Sequence, residues 1–159
     1  MLNVVRRKEQ AKILEEEGAK FILDTSNEGW VDQYNELLKT HGFNVLFDAI
    51  GGGEVTEKLI SHLLPGSQAF IYGKLTSEPF TMRKPLVGLQ GTSISNVMLF
   101  EWYARVSQEQ KDKIKKEYSS LLKKELSTNS LKRVTLEEVP KIWAEAEKNA
   151  TEGKFTIVV

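Results

Sequence analysis

The sequence predicts an α/β fold in which helices cover both faces of a mostly parallel sheet. Apolar runs of strand length alternate with helical patterns of roughly ten to fifteen residues along the chain. The clearest run lies in Asn44–Gly53, NVLFDAIGGG, where Val45–Ile50 has the nearly continuous apolar character of a strand buried on both faces. Its polar residue and its glycines follow at the carboxyl end, where such sheets bind ligands. We expect Gly51, Gly52 and Gly53 to let a ligand approach the backbone closely.

Length and composition indicate a single domain, residues 1–159. The 159 residues are enough for one hydrophobic core and few for two. The chain has 22 basic residues (Lys and Arg) and 22 acidic residues (Asp and Glu). Its net charge therefore does not favour binding to nucleic acid or to an anionic membrane. The chain has no cysteine, and His41 and His62 have no partner at metal-ligand spacing, so no metal site is predicted.

The amino-terminal residues, MLNVVRRKEQ, do not read as a signal peptide because their apolar part precedes the charges. No apolar run reaches the length of a membrane span. We expect a cytoplasmic or organellar-matrix protein with no membrane partner.

The first half of the chain contains three strand-and-helix units. Leu2–Val5 is a short strand before an amphipathic helix, and Phe21–Leu23 is the second strand. The spacing of Trp30, Val31, Tyr34, Leu37 and Leu38 predicts a helix over Glu28–His41. The third strand, at Val45, leads into a helix over Glu54–Leu64.

The second half repeats the alternation with less regular spacing. A turn at Pro65–Ser67 precedes a fourth strand that ends in Gly73 and Lys74. Two helices are expected to meet near Ser107, and Thr135 with Glu138 has capping-box spacing. The predicted elements are strands Gln68–Tyr72 and Leu86–Ser93, helices within Asn96–Leu126, strand Leu131–Val134 and a final strand Phe155–Val159.

In order and spacing, these pieces resemble the cofactor-binding domain of the medium-chain, alcohol dehydrogenase-like dehydrogenase/reductase superfamily. The most similar branch is the zinc-free one, which holds NADPH-dependent quinone oxidoreductases and 2-enoyl thioester reductases. No single motif is specific, but the ordered set is. The matching segments are NVVRRKEQ at 3–10, EEGAKFILDTS at 16–26, FDAIGGG at 47–53, LLPGSQAFIYGKL at 63–75 and EGKFTIVV at 152–159.

The resemblance implies a Rossmann-like fold that lacks its first strand and glycine-rich turn. Those enzymes have an upstream catalytic domain and a first strand-and-helix unit, and LNVVRR matches only the strand that follows. We therefore expect a partial dinucleotide-binding domain without the usual pyrophosphate site. A small-molecule substrate is expected only together with the upstream domain.

Three cations predict the cofactor. Arg6, Arg7 and Lys8 directly follow the first strand of the chain, and no acidic residue occurs before Glu9. In this fold an acid at that place binds the ribose of NAD, whereas arginine accommodates the 2′-phosphate of NADP. The expected cofactor of the intact protein is NADP(H).

The remaining site residues come from the resemblance. It implies that one loop passes beside the nicotinamide ribose, that a second lies near the nicotinamide, and that a terminal Gly-Lys approaches from the far side. Asp48 is expected to be a buried hydrogen-bond acceptor rather than a base, and no catalytic residue is assigned. The implied cofactor-binding residues are Ala49, Ile50 and Gly51, then Tyr72, Gly73 and Lys74, then Gly153 and Lys154.

The strand order 3-2-1-4-5-6 of this fold places the missing first strand in the middle of the sheet. We therefore expect unpaired edges at Leu2–Val5 and at Val45–Ala49. Leu86–Ser93 would be an outer strand, and the resemblance implies that it pairs with its twin in a homodimer.

Three functions remain open. The first is a partial nucleotide-binding domain of an NADP(H)-dependent oxidoreductase, of the quinone or enoyl reductase type, that is inactive as an isolated chain. The second is a non-catalytic nucleotide-binding or dimerisation module. The third is a class I methyltransferase, whose sheets also carry strands that read F-D-A-I, although the acid that those enzymes use for ribose is missing after LNVV.

Overall fold

The computed structural model describes residues 1–82, 90–122, 130–148 and 154–158. The chain divides into two compact units, Met1–Ala104 and Arg105–Val159. The first unit contains β1 (Leu2–Val5), α1 (Lys8–Glu16), β2 (Phe21–Asp24), α2 (Trp30–His41), β3 (Val45–Asp48), α3 (Gly53–Ser61), β4 (Gln68–Ile71), β5 (Ser93–Asn96) and most of α4 (Leu99–Arg105). The second contains α5 (Gln108–Leu122), β6 (Ser130–Thr135), α6 (Val139–Lys148) and β7 (Lys154–Val158).

Every described strand pairing is parallel. In the first unit β1 pairs with β2, and a second sheet has the order β3-β4-β5. In the second unit β6 pairs with β7. The predicted α/β class with parallel strands is therefore confirmed. Among the described residues no strand joins β1 to β3, as the strand order predicts.

The core of the first unit lies under α2. Trp30, Tyr34 and Leu38 recur every four residues, so they fall on one face of the helix, and all three are buried against Leu23 of β2 and Leu59 of α3. The neighbouring residue of β2, Ile22, points to the opposite face because side chains alternate along a strand. There α1 packs on β1 and β2. Helices thus cover both faces of this sheet.

The predicted strand Leu86–Ser93 is wrong in its described part, since β5 begins only at Ser93 and runs to Asn96. Gln90 and Gly91 form a turn, with φ of 47° and 81°. Two successive left-handed residues cannot continue an extended strand. Positions 86–89 lie outside the described residues.

Two predictions about helix ends are confirmed. The helical region breaks before Ser107, whose Oγ accepts a hydrogen bond from the Gln110 backbone N–H at 3.2 Å while its own N–H donates to the Gln110 Oε1 at 3.0 Å. Thr135 and Glu138 form the expected capping box, with the Thr135 N–H donating to the Glu138 carboxylate at 2.8 Å.

The helices in the described ranges are too short or too polar for any of them to cross a membrane.

Candidate functional site

Asp48 organises the loop at the carboxyl end of β3. Its side chain is 6% exposed, and its carboxylate accepts hydrogen bonds from the backbone N–H groups of Ile50 at 2.9 Å and Gly51 at 3.0 Å. The Thr56 hydroxyl of α3 donates a third bond at 3.1 Å. These bonds fix the backbone of the loop and tie it to the following helix. The predicted role of Asp48 as a buried acceptor is confirmed.

Two glycines lock this loop to the loop that follows β4. A Cβ atom on Gly51 would collide with the carbonyl oxygen of Gly73, and a Cβ atom on Gly73 would collide with the carbonyl oxygen of Ala49. The Leu75 N–H also donates to the Ile50 carbonyl at 3.0 Å. The two loops therefore approach each other more closely than any residue with a side chain would allow.

Gly52 and Gly53 meet the same second loop further along. A Cβ atom on Gly52 would lie 2.5 Å from the Glu78 carbonyl oxygen, and the Gly53 N–H donates to the Pro79 carbonyl at 3.2 Å. We expected the missing side chains of Gly51–Gly53 to leave room for a ligand. At the positions that their Cβ atoms would take, this expectation is wrong. The chain's own backbone and the Glu78 side chain occupy that space.

Side chains on these two loops remain open to a ligand. Tyr72 is 57% exposed, and Ile50 and Lys74 are also exposed. On β3, the exposed Phe47 ring stacks on Phe70 of β4 with 5.4 Å between centroids. An exposed aromatic ring can stack on a planar group of a ligand, and an exposed lysine can contact an anionic one.

Arg6 and Arg7 connect β1 to α1 and are exposed at the carboxyl end of β1. Arg7 is the N-terminal cap position of α1 in an extended conformation, and its side chain makes no capping bond. The Gln10 side chain accepts a hydrogen bond from the Arg6 N–H at 3.1 Å, so the polar cap comes from within the helix. Cations at this helix end oppose the helix dipole, which costs a small amount of stability.

Lys8 is part of a cavity wall. It lines a surface cavity of about 290 Å³ between α1, β2 and the start of α2. Polar groups dominate the rest of the wall, and Arg6 and Arg7 do not contribute to it. The other lining residues are Ala11, Lys12, Glu15, Ile22, Asp24, Asn27 and Gln33.

The structure therefore brings together six of the predicted site residues, namely Ala49, Ile50, Gly51, Tyr72, Gly73 and Lys74. Arg6, Arg7 and Lys8 follow a strand of the other sheet of the first unit, and strand pairing does not connect them to the glycine loops. Lys154 begins β7 in the second unit, and Gly153 lies outside the described residues.

Thr56 is the functional contact that sequence reasoning missed. It is 1% exposed and holds Asp48 from the helix. A threonine on the inner side of a predicted helix gives one weak signal, since its hydroxyl needs a partner once buried. Nothing in the spacing of the two residues identifies Asp48 as that partner.

Solved structures of other proteins have a similar fold. A Mesorhizobium loti protein assigned as an NADPH:quinone reductase matches with a TM-score of 0.79 at 22% identity, over 98% of this chain and 44% of that one. A quinone oxidoreductase from Pseudomonas syringae matches with a TM-score of 0.75 at 18% identity, over 99% and 48%. The mitochondrial 2-enoyl thioester reductase heterodimer Etr1p/Etr2p from Candida tropicalis matches with a TM-score of 0.71 at 15% identity, over 99% and 46%.

This chain thus spans less than half the length of each of these proteins. No family model matches it, and no curated protein matches it by sequence. At these low identities the likeness shows the fold, which is the Rossmann-like fold of quinone and enoyl thioester reductases. The predicted structural resemblance is confirmed.

Proposed function

We propose that this chain is part of the nucleotide-binding domain of an NADP(H)-dependent oxidoreductase of the quinone or enoyl reductase type. The observation that carries the proposal is the pair of interlocked loops at the carboxyl ends of β3 and β4. Open α/β sheets bind their ligands at this edge. The proteins with a similar fold are described as NADPH:quinone and enoyl thioester reductases, and one was solved with NADPH.

The two loops would hold the nicotinamide half of the cofactor. We assign the nicotinamide ribose to Ala49–Gly51. The Asp48 carboxylate holds the backbone of this loop in place, and the Thr56 hydroxyl in turn holds Asp48. We assign the ring to Tyr72–Lys74, where an aromatic side chain and a cation are exposed. The bound nicotinamide supplies the hydride chemistry, and the protein orients it.

Arg6 and Arg7 would bind the 2′-phosphate that distinguishes NADPH from NADH. Both residues are exposed directly after the carboxyl end of β1, and each guanidinium group has a planar set of donors that suits phosphate oxygens. Lys8, Gly153 and Lys154 remain predicted cofactor contacts. No residue of the chain is assigned a catalytic role. The purified chain should oxidise NADPH no faster than background with quinone or enoyl thioester acceptors.

The first prediction tests the two arginines. Arg6→Ala combined with Arg7→Ala should weaken NADPH binding by about tenfold or more and leave NADH binding nearly unchanged, because a hydrogen bond to a charged group contributes about 1.5–3 kcal/mol. Calorimetric or fluorescence titration of the 159-residue chain with both cofactors measures the difference.

The matched control removes two cations elsewhere, by Lys20→Ala and Lys39→Ala. Lys20 is exposed directly before β2, at the opposite edge of the sheet, and Lys39 is exposed near the end of α2. This control should bind NADPH like the wild type. Equal weakening of NADPH and NADH by the arginine variant would contradict the assignment, and binding of S-adenosylmethionine in place of both dinucleotides would favour the methyltransferase alternative.

A further inference from the structure

The cavity of about 290 Å³ between α1, β2 and the start of α2 has charged groups of both signs in its wall. Lys8, Lys12 and Glu15 follow one another at spacings of four and three residues, so they fall on one face of α1. Asp24, the last residue of β2, faces the same space. We call this space the α1 cavity.

Asp24 is the buried member of this set, with 6% of its surface exposed. Its Oδ1 accepts hydrogen bonds from the Ser26 backbone N–H at 2.9 Å and from the Ser26 hydroxyl at 2.8 Å. Across the described residues, its other oxygen, Oδ2, has no hydrogen-bond partner, and the carboxylate forms no ion pair. Because buried carboxylates are normally paired, Asp24 has room for one more donor.

The other charges of the wall do not neutralise each other. Within the described ranges, Lys8 and Glu15 form no ion pair, and Lys12 reaches only Glu16, which is outside the wall, at 3.9 Å. Exposed pairs of this kind contribute little to stability. The α1 cavity therefore presents two cations and two carboxylates that remain available to a ligand.

The positions of these charges along the elements limit what the ligand can be. Val5 of β1 and Asp24 are partners in the parallel register, and Lys8 begins α1 three residues after Val5. A cation and a buried carboxylate therefore share one end of the α1 cavity. Glu15 lies about two helical turns further along α1, towards the other end.

We propose that the α1 cavity binds a small zwitterion of the α-amino acid class. The ligand's ammonium group would donate to Asp24 Oδ2, and its carboxylate would accept hydrogen bonds from Lys8 and Lys12. An α-amino acid carries both groups on one carbon atom, as charges of both signs at one end of a cavity require. The volume is near the lower limit of the range of about 300–1,000 Å³ for small-molecule pockets, so the ligand must be small.

The rest of the wall favours a polar side chain without charge. The two lysines and two carboxylates cancel, so the wall favours a ligand with no net charge. The amide groups of Asn27 and Gln33 both donate and accept, and Glu15 accepts. These groups suit a side-chain amide or hydroxyl, and L-glutamine is the probe of choice.

Calorimetric titration of the 159-residue chain with L-glutamine tests the proposal. We expect saturable binding at millimolar concentration or below. Two analogues separate the charges, since glutaramate lacks the ammonium group and γ-aminobutyramide lacks the carboxylate. Each should bind about tenfold or more weakly than L-glutamine, because each loses hydrogen bonds to a charged group.

Two variants test the wall itself. Asp24→Asn and Lys12→Gln should each weaken L-glutamine binding by about tenfold or more. Asp32→Asn and Lys39→Gln are the matched controls, because both residues are exposed on α2 and outside the wall, and they should bind like the wild type. Lys12 has an exposed side chain, so Lys12→Gln still tests the site if Asp24→Asn does not fold.

NADPH titration of the same variants separates this site from the proposed cofactor site. Lys8 is a predicted cofactor contact and is therefore left unchanged. Lys12→Gln should bind NADPH like the wild type, because Arg6 and Arg7 are not part of the wall. No binding of L-glutamine at millimolar concentration would overturn the proposal and leave the α1 cavity to water. Equal binding of either analogue, or equal weakening by the control variants, would also overturn it.

Discussion

At the scale of single residues, the site depends on contacts between loops rather than on reactive groups. Asp48 was predictable as an acceptor because a carboxylate followed by Ala-Ile-Gly can bond the N–H groups two and three residues later. The role of Gly51 was not predictable in full. A glycine in the sequence indicates close approach, but only the fold shows that Gly73 of the next loop is the group that approaches.

Gly73→Ala should destabilise the protein by about 1–3 kcal/mol, because the new methyl group collides with the Ala49 carbonyl. Gly73 does not have a left-handed backbone, so the change tests the contact without added backbone strain. Urea denaturation measures the cost, and faster amide exchange at Leu75 should locate it in the interlocked loops. Gly18→Ala is the control, since its left-handed backbone is strained by the change but its surroundings are open. It should leave Leu75 protected, and loss of protection in both variants would contradict the loop contact.

Tyr34 should make stability depend on alkaline pH. Its hydroxyl donates to the Leu59 carbonyl at 3.2 Å within the core, and burial raises the pKa of Tyr34. The folded state therefore retains a proton that the unfolded state releases. This contribution is complete below the unfolded pKa of about 10 and is lost as pH rises above it. Tyr34→Phe should cost about 1 kcal/mol at neutral pH and reduce the alkaline loss. Urea unfolding of the wild type and the variant, at neutral pH and above about pH 10, tests this. An equal alkaline loss of unfolding free energy in the two proteins would contradict it.

At the scale of elements, most strands and helices were predictable because each shows its own period. Tyr34 and Leu38 are four residues apart and so fall on one face of a helix. The segment Val45–Asp48 has the length and the apolar composition of a strand. The strand predicted at Leu86–Ser93 failed where it is described because Gln90 and Gly91 adopt left-handed conformations. Apolar composition alone does not reveal that a turn interrupts the run.

The outer edge of β5 leads to a prediction about assembly. Ser93 and Val97 donate their N–H groups to the Ser67 and Ile71 carbonyls, so the backbone of Ile94 faces away from β4. Leu99 and Phe100 are exposed on the helix that follows. We propose a homodimer through this edge, with Ser93 as the described end of the interface predicted at Leu86–Ser93.

Sedimentation at micromolar concentration should show a dimer of the wild-type chain. Ile94→Pro should give a folded monomer because it removes an outward N–H, whereas Ile94→Thr should stay dimeric. A monomeric wild type, or a dimer that the proline variant leaves intact, would count against this interface.

At the scale of the whole molecule, the strand order of the Rossmann-like fold predicted the break between β1 and β3, and the structure contains it. The topology of a fold predicts which strands are neighbours even where one is missing. The topology does not predict how loops that belong to different sheets lie relative to each other. For this reason the strands that carry the glycine loops, β3 and β4, could be predicted as neighbours, whereas Arg6 and Arg7 could be assigned only to the end of β1.

The central claim, that the carboxyl edge of the first unit binds NADP(H), is tested most directly by amide chemical shifts during titration of the 159-residue chain with NADPH. We expect NADPH to shift the amide signals of Arg6, of Arg7 and of the two loops, Ala49–Gly51 and Tyr72–Lys74. We expect no shift at Gly42 and Gly66, which precede β3 and β4 at the opposite edge. Shifts confined to that opposite edge, or no shift at millimolar NADPH, would contradict it.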